Sequence, residues 1–540
     1  MERYKIVIFT LLVLLVSYFT YFRNYQYPAN LFWDENYHIA SSQKYLKGVF
    51  FMEPHPPLGK LFIALGEYLI HPNDKINTRS FLITDYIKDV PKGYSFAGVQ
   101  FFPTLFATLS AVLFYLILYM LSKRPILSFL FTSLYLFENA IIVHSRGAML
   151  EPIQMFFVFM FILFFLYCVN KIMSFRRSPP NRRTTEKSSE AYKIIYARFT
   201  RWISHYVRND NGGIRNDNQP ALGIKSYIIF GLLYGLAISV KLNSGPLGIL
   251  LIVLLSREYY HRIQWSQIIF KSFIFVLSAF FVFIGIYYIH ISLGKTVLDK
   301  RYYEASGQYK KILNVQYPIS KSQYPINNIQ TNFNIQFPNL LKEHLQYIFH
   351  YEKGVPKYDV CKVGENGSLP VTWPFGNKSI NYRWEKSGTS VKYLYLQGNP
   401  AIWFLGLGGL FFSLNLIVST LFFKTKITNK RLYFFITTFS ILYLTYMASM
   451  MMVERVLYLY HYFIPLIFSL ILSYLMFLYL FEEGLKKRNT RLIMVIIVIT
   501  VIIVITFLFF SPLTYYQPLT HAQFQLRNWF QFWGLKSLAK

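Results

Sequence analysis

Two adjacent carboxylates, Asp34 and Glu35, stand just beyond the first apolar stretch of this 540-residue chain, in the run LFWDENYHIASSQKYLKGVFFMEPHPPLGKLFIALGEYLI. A carboxylate there is suited to act as a general base, taking the proton of a hydroxyl as its oxygen forms a new bond. Helical periodicity begins at Glu35, and aspartate is a favoured N-cap, so on spacing alone a helix cap is the simpler reading of Asp34. The two roles are compatible, since a cap fixes where the carboxylate sits. Glu53 and His55 make a second polar pair, within a turn that Pro54, Pro56 and Pro57 would build unaided. The run YLFENAIIVHSRGAMLEPIQMFF sets Glu138, Asn139, His144, Arg146 and Glu151 around one short turn between apolar stretches. Ionisable groups at membrane depth are costly, and imply either function or an ion pair such as Arg146 with Glu151 or Glu138. Lys241 ends a span of small residues, where it either meets an anion or snorkels to the interface. Glu454, Arg455 and His461 begin another span; the planar donor fork of arginine suits a phosphate, with an interfacial anchor as the plainer alternative.

Carboxylates with scattered Lys, Arg and His along one membrane rim suit transfer of a sugar carried on a lipid phosphate. The leaving polyprenyl phosphate is a weak base and needs charge stabilisation rather than an acid. Displacement by a hydroxyl inverts the anomeric carbon with one carboxylate as base and no covalent intermediate. The sequence demands no cofactor. It has no His-x-x-x-His pair or dense carboxylate cluster, although Glu53 and His55 leave a divalent metal open.

The elements that hold these residues must be membrane helices. Hydrophobic residues make up 54% of the chain and charged ones only 15%, with mean hydropathy +0.32, far too apolar for a soluble enzyme of this length. The net charge of +30 would point to nucleic acid in a soluble protein. Here Lys and Arg cluster between apolar runs, as topology signals and lipid-headgroup contacts do, so no nucleic-acid partner is expected. Cys168 and Cys361 lie in an apolar and a polar run and offer neither a disulfide nor a thiolate metal site. The N-terminal MERYKIVIFTLLVLLVSYFTYF lacks a small-residue cleavage site and reads as a retained anchor.

About eleven stretches approach the roughly 20 residues a spanning helix needs. They lie near 5–22, 96–121, 126–143, 149–170, 225–241, 244–256, 267–291, 400–423, 432–452, 456–480 and 491–510, with a polar break at 241–246 that reads as a turn or kink. The short basic loops, including Lys123-Arg124, Arg257 with Arg262, 424–431 and 486–491, then fall on one side, which is cytoplasmic. The basic insert 171–224, with Arg176-Arg177 and Arg182-Arg183, joins them; its KIIYARFTRWISHYV run suits an interfacial helix. The long segments 23–95 and 292–399 face outward, as does the C-terminal tail. The expected organisation is an N-terminal transmembrane catalytic module over 1–291, an outer-face loop over 292–399, and a C-terminal transmembrane module with outer tail over 400–540. A transporter would also bury ionisable residues, but it predicts paired broken helices in two related halves, and no such repeat is found.

WDENYH followed by EPHPPLGKLFIALGE resembles the first outer loop of the protein O-mannosyltransferase family, among the GT-C membrane glycosyltransferases. The resemblance continues in order through FENAIIVHSRGAMLEP, GLLYGLAISVKLNSG, SLPVTWPFGNKSINYRWE with YLQGNPAIWFLG, and ERVLYLYHYFIPLIF, covering nearly the whole chain. It implies an all-α GT-C fold of about eleven membrane helices with two large outer-face loops. It implies Asp34 as catalytic base with Glu35 its acidic neighbour, and assigns His55, Arg146, Lys241, Arg455 and His461 to donor phosphate, sugar or scaffold roles. Glu53, Lys60, Glu138, Asn139 and Glu151 fall to support. The substrates implied are a polyprenyl-phosphate-linked mannose or other hexose and a hydroxyl acceptor, either protein Ser/Thr or an envelope lipid or glycan as in the related aminoarabinose transferases. Two departures stand out. Gln100 replaces an expected Arg, and the 292–399 loop is too short for the β-trefoil domain of eukaryotic members, which favours a bacterial-type enzyme of the plasma membrane acting on its outer face.

Overall fold

Long apolar runs leave the backbone no partner but itself, so they become helices. The computed structural model describes residues 2–175, 222–259, 264–295, 327–487 and 489–538, and every expected span has a helix on it. In chain order the α-helices of seven residues or more among the described residues are α1 (Glu2–Ser17, continued as a π-turn to Phe22), α2 (Glu35–Leu46), α3 (Leu58–Ile70), α4 (Phe101–Ser122), α5 (Pro125–Leu136), α6 (Asn139–Ser145), α7 (Glu151–Phe175), α8 (Ile224–Val240), α9 (Ile249–Tyr259), α10 (Trp265–Leu293), α11 (Asn327–Gly354), α12 (Pro400–Phe422), α13 (Lys430–Met451), α14 (Phe463–Leu480) and α15 (Thr490–Thr514). Among the described residues eight helices are long and apolar enough to cross a bilayer, and the α5–α6 pair, bent by 64°, makes a ninth. The expected eleven is reached only if α8, of 17 residues, and α9, of 11, cross as well. The insert residues 176–221, with Arg176-Arg177, Arg182-Arg183 and the 193–207 run, lie outside the described residues, as do Arg262 and 296–326.

Helices α4, α7 and α14 form the buried heart of the bundle, while α1, α10 and α15 keep most of their apolar surface outward, as lipid-facing helices do. α8 lies close against α10 because Gly231 and Gly235 face it. A Cβ at either would overlap the carbonyl of Phe275 or Ala279.

The basic loops meet at one end of the bundle. Arg124 Nη1 donates to the Leu485 carbonyl at 3.1 Å, and Arg431 Nη2 donates to the Met120 carbonyl and Asn170 Oδ1, both at 3.2 Å. The acidic pair sits at the other end, reached by Gln100 one residue before α4, a 22-residue helix of roughly 33 Å.

A small sheet accompanies the helices. β1 (Ile380–Ser387) and β2 (Ser390–Leu396) form an antiparallel hairpin that β3 (Pro518–Leu519) joins from the C-terminal tail. The register slips between Asn381 and Arg383, leaving Tyr382 in a bulge. The segment read as an outer loop thus carries a helix, α11, and a hairpin.

Candidate active site

Trp33 turns the chain into α2 with φ of 50°, a conformation bulky side chains avoid at a cost of about 1–2 kcal/mol. Ring packing holds it there, against Tyr382 at 5.2 Å and Tyr458 at 5.2 Å between centroids. The next residue, Asp34, occupies the N-cap of α2, and its carbonyl accepts from the amides of Tyr37 and His38. Its side chain makes no capping bond. Instead Oδ2 accepts from the Tyr460 hydroxyl at 3.2 Å. The half-buried carboxylate lines an open cleft of about 490 Å³ whose walls include Trp33, Tyr37, Tyr86, Tyr382 and Tyr458. Burial and the charge of Glu151 raise the Asp34 pKa above its ordinary value, against the pull of Lys241, His144 and the Tyr460 bond. A carboxylate so destabilised is a stronger base.

Glu35 turns the other way. Its fully buried carboxylate accepts from Gln100 Nε2 at 2.7 Å, from the Ala148 amide at 2.8 Å and from the Phe32 amide at 3.2 Å. With no cation in that set, burial outweighs the three donors and pushes its pKa up to about 7. Glu35 therefore ties the Asp34 turn to Gln100 and to the 146–150 turn.

Behind Tyr460 lies a charged chain. His144 Nε2 and Glu151 Oε2 are 2.7 Å apart, Glu151 Oε1 accepts from Lys241 Nζ, and His144 Nδ1 is 2.7 Å from the Tyr382 hydroxyl. The break at 241–246 explains the placement: Lys241 is extended between α8 and a 3₁₀ turn, which points its side chain into the protein. It is 8% exposed, so it is an ion-pair partner and not a snorkelling lysine. Its ammonium also lies 5.7 Å from the centre of the Tyr460 ring, while His144 stacks on that ring at 4.9 Å. His461 stacks on Tyr460 at 4.6 Å and lines a small cavity with Glu151 and Tyr460.

His55 is held well below its usual pKa by burial and by the positive charges of Lys241, Lys60 and Arg455, so it is neutral among cations. His55, Lys241 and Arg455 thus form one electropositive neighbourhood. Arg146 does not join it. Its guanidinium donates to the carbonyls of Tyr21 at 3.2 Å, Arg23 at 3.0 Å and Asn24 at 2.5 Å, and lies 5.1 Å from the Tyr515 ring centre. These bonds make Arg146 a brace on the exit of α1, the scaffold role among those expected of it, in place of a pairing with Glu151 or Glu138.

The supporting residues separate likewise. Glu53 pairs with Lys60 at 2.7 Å, both buried, and accepts from Ser41 at 3.3 Å. No group of three His, Cys, Asp or Glu side chains with metal-binding geometry occurs among the described residues. Glu138 caps α6 at the Ile141 amide (2.7 Å) and accepts from the Asn399 amide (2.9 Å) and Trp403 Nε1 (2.8 Å), while Asn139 donates to Thr514 Oγ1 at 2.7 Å. These lock the bent α5–α6 span to α12 and α15.

Sequence reading missed Tyr460, Tyr382 and His38, whose Nδ1 lies 2.6 Å from the Ala148 carbonyl. Tyr460 and His38 flank recognised residues in LYLYHYF and WDENYH, and adjacency to an ionisable group was the signal available for them.

Two family models match the chain: dolichyl-phosphate-mannose-protein mannosyltransferase over residues 11–190, and the C-terminal four-transmembrane region of protein O-mannosyltransferase over residues 339–533. The chain is 29% identical over 147 residues to dolichyl-phosphate-mannose–protein mannosyltransferase 1 of Candida albicans, covering 27% of this chain and 16% of that relative. It is 27% identical over 177 residues to protein O-mannosyl-transferase 2 of Danio rerio, covering 31% and 21%. These stretches span well under two thirds of either relative's length. The fold is similar to that of a Saccharomyces cerevisiae protein O-mannosyltransferase complex bound to the sugar donor, with TM-score 0.71 and 14% identity over 98% of this chain and 92% of the other.

Proposed function

The chain belongs to the protein O-mannosyltransferase family, with the fold of the GT-C membrane glycosyltransferases, and from that premise we propose that it moves mannose from a polyprenyl-phosphate carrier to a protein Ser or Thr hydroxyl, with inversion. The reaction takes place on the non-cytoplasmic face of the membrane, at the end of the bundle opposite the basic loops. A bacterial-type plasma membrane is its setting.

The observation that carries this reading is the two-sided environment of Asp34. On one side its carboxylate faces the aromatic-walled cleft. On the other it meets Tyr460 and feels the charge of Lys241. The acceptor hydroxyl enters from the cleft and passes its proton to Asp34 as its oxygen attacks the anomeric carbon. The bond from that carbon to the phosphate oxygen breaks, and its electron pair leaves on the polyprenyl phosphate. Lys241 and Arg455, with neutral His55 beside them, stabilise that anion. Asp34 is the catalytic residue of this scheme, while Glu35 and Arg146 hold the backbone around it.

The test uses the purified full chain with polyprenyl-phosphate-mannose and a Ser/Thr peptide. Asp34→Asn keeps the fold and lowers transfer by about 10²–10⁴-fold, the worth of a general base. Transfer at the wild-type rate by folded Asp34→Asn refutes the assignment. Mass spectrometry of membrane and exported proteins, with and without the active chain, reads the expected hexose on Ser or Thr.

A further inference from the structure

Tyr382 belongs to both halves of the site. Its ring is a wall of the cleft, stacked on Trp33, and its hydroxyl begins the chain that ends on Lys241. The bulge in β1 puts it there, because an in-register residue would send its side chain along the regular alternation of the strand.

The orientation of the His144 ring follows from its two partners. Glu151, ionised against Lys241, can only accept, so Nε2 of His144 carries a hydrogen and donates it. Nδ1 meets the Tyr382 hydroxyl at 2.7 Å. Without that hydroxyl the second bond that fixes the ring is lost, and the ring can turn Nε2 away from the carboxylate. Glu151 then loses one of the two partners that fix it, and the Lys241 ammonium loses its fixed seat.

We propose that Tyr382 and His144 are positioning residues for the donor phosphate, acting through Glu151 to hold the Lys241 ammonium. This rests on the transferase reading above. Neither residue touches the reacting atoms in this role. Tyr382→Phe removes the hydroxyl and keeps the ring stacked on Trp33, which separates the relay from the cleft wall.

The experiment is a double-mutant cycle on the purified full chain, measuring KM for polyprenyl-phosphate-mannose, KM for a Ser/Thr peptide, and kcat. Wild-type transfer is established first, and its failure sinks the parent reading rather than the relay. Tyr382→Phe raises the donor KM about tenfold, the worth of one buried hydrogen bond, and leaves the peptide KM within about twofold. In a Lys241→Met background the same change has no further effect on donor KM, because the atom being positioned is gone. His144→Asn, which keeps a small amide in place of the ring, reproduces the donor defect. A peptide KM that rises while the donor KM stays put overturns the relay, as does a donor defect that adds in full to that of Lys241→Met. Should Lys241→Met fail to fold, direct binding of the donor to Tyr382→Phe decides the matter: unchanged affinity refutes the proposal.

Discussion

The hydroxyl of Tyr460 offers a direct probe of the base. It donates to Asp34 Oδ2 at 3.2 Å, long for a bond to a carboxylate, so its worth is at the low end for a charged acceptor, about 1.5 kcal/mol. The bond favours the ionised form, so its loss raises the Asp34 pKa further. Tyr460→Phe retains the ring that stacks on His144 at 4.9 Å and lies 5.7 Å from Lys241. The expected result is an acidic limb of the kcat/KM profile displaced toward higher pH by about one unit, that energy at 1.36 kcal/mol per pH unit, with a plateau close to wild type. The sign matters more than the size. Asp34 must be ionised to accept a proton, so activity falls as pH drops through its already raised pKa, and the variant loses activity at higher pH than wild type does. The assay is mannosyl transfer to a Ser/Thr peptide in nanodiscs across about pH 4 to 8. An unmoved limb, or one moved toward lower pH, shows that Asp34 is not the titrating base or that Tyr460 does not serve it.

The other buried carboxylates yield predictions about stability. Glu35 has its pKa raised from 4.5 to about 7, so the fold favours its neutral form; that contribution is complete below about pH 4.5 and is lost as pH rises through about 7. Wild-type stability should thus decline by up to about 3 kcal/mol over this window. Glu35→Gln, which cannot ionise, should flatten this part of the decline in a thermal-denaturation series; an identical slope in the variant counts against the assignment. Gln100→Arg supplies the missing cation and should lower the Glu35 pKa, leaving the protein more stable than wild type at about pH 8. Glu138→Ala strips the acceptor from three buried donors, Ile141, Asn399 and Trp403, and should cost about 3–5 kcal/mol, seen as a lower Tm. Little or no loss of Tm would mean that the bent α5–α6 span is held elsewhere.

The apolar stretches were legible because burying an unpaired backbone in lipid allows few alternatives, and the helices fall where the runs do. The hairpin was not read, although its signal exists. INYRWEKS and SVKYLYL flank a two-residue Gly388-Thr389 connection, and Gly388 takes the positive φ, 60°, that tight hairpins require. Asp34 could be singled out by its acidic pair at a membrane exit. The partners of Arg146 and Glu53 could not, because sequence reveals that a buried charge must be satisfied but not which distant atoms satisfy it. Arg146 uses three carbonyls of residues 21–24, more than 120 positions away. Tyr382 was least legible of all: it is one of 44 tyrosines, and a register slip alone gives it its place.

In the proposed transfer, the charge arrangement reconciles a reactive base with nearby cations. Were Lys241 paired directly with Asp34, the carboxylate would be held ionised and its basicity spent, as in any tight ion pair. Lys241 is bound by Glu151 instead, and the two exert opposite pulls on Asp34, Glu151 raising its pKa and Lys241 lowering it. Burial then decides the balance upward. The same pairing leaves the ammonium, with two further donors, able to meet a phosphate oxygen without leaving Glu151. In the proposed transfer Glu151 thus keeps the base basic and the cation fixed, although it reacts with neither substrate. There, a residue that looks like half of a structural ion pair is what allows a carboxylate and an ammonium to work side by side without neutralising one another.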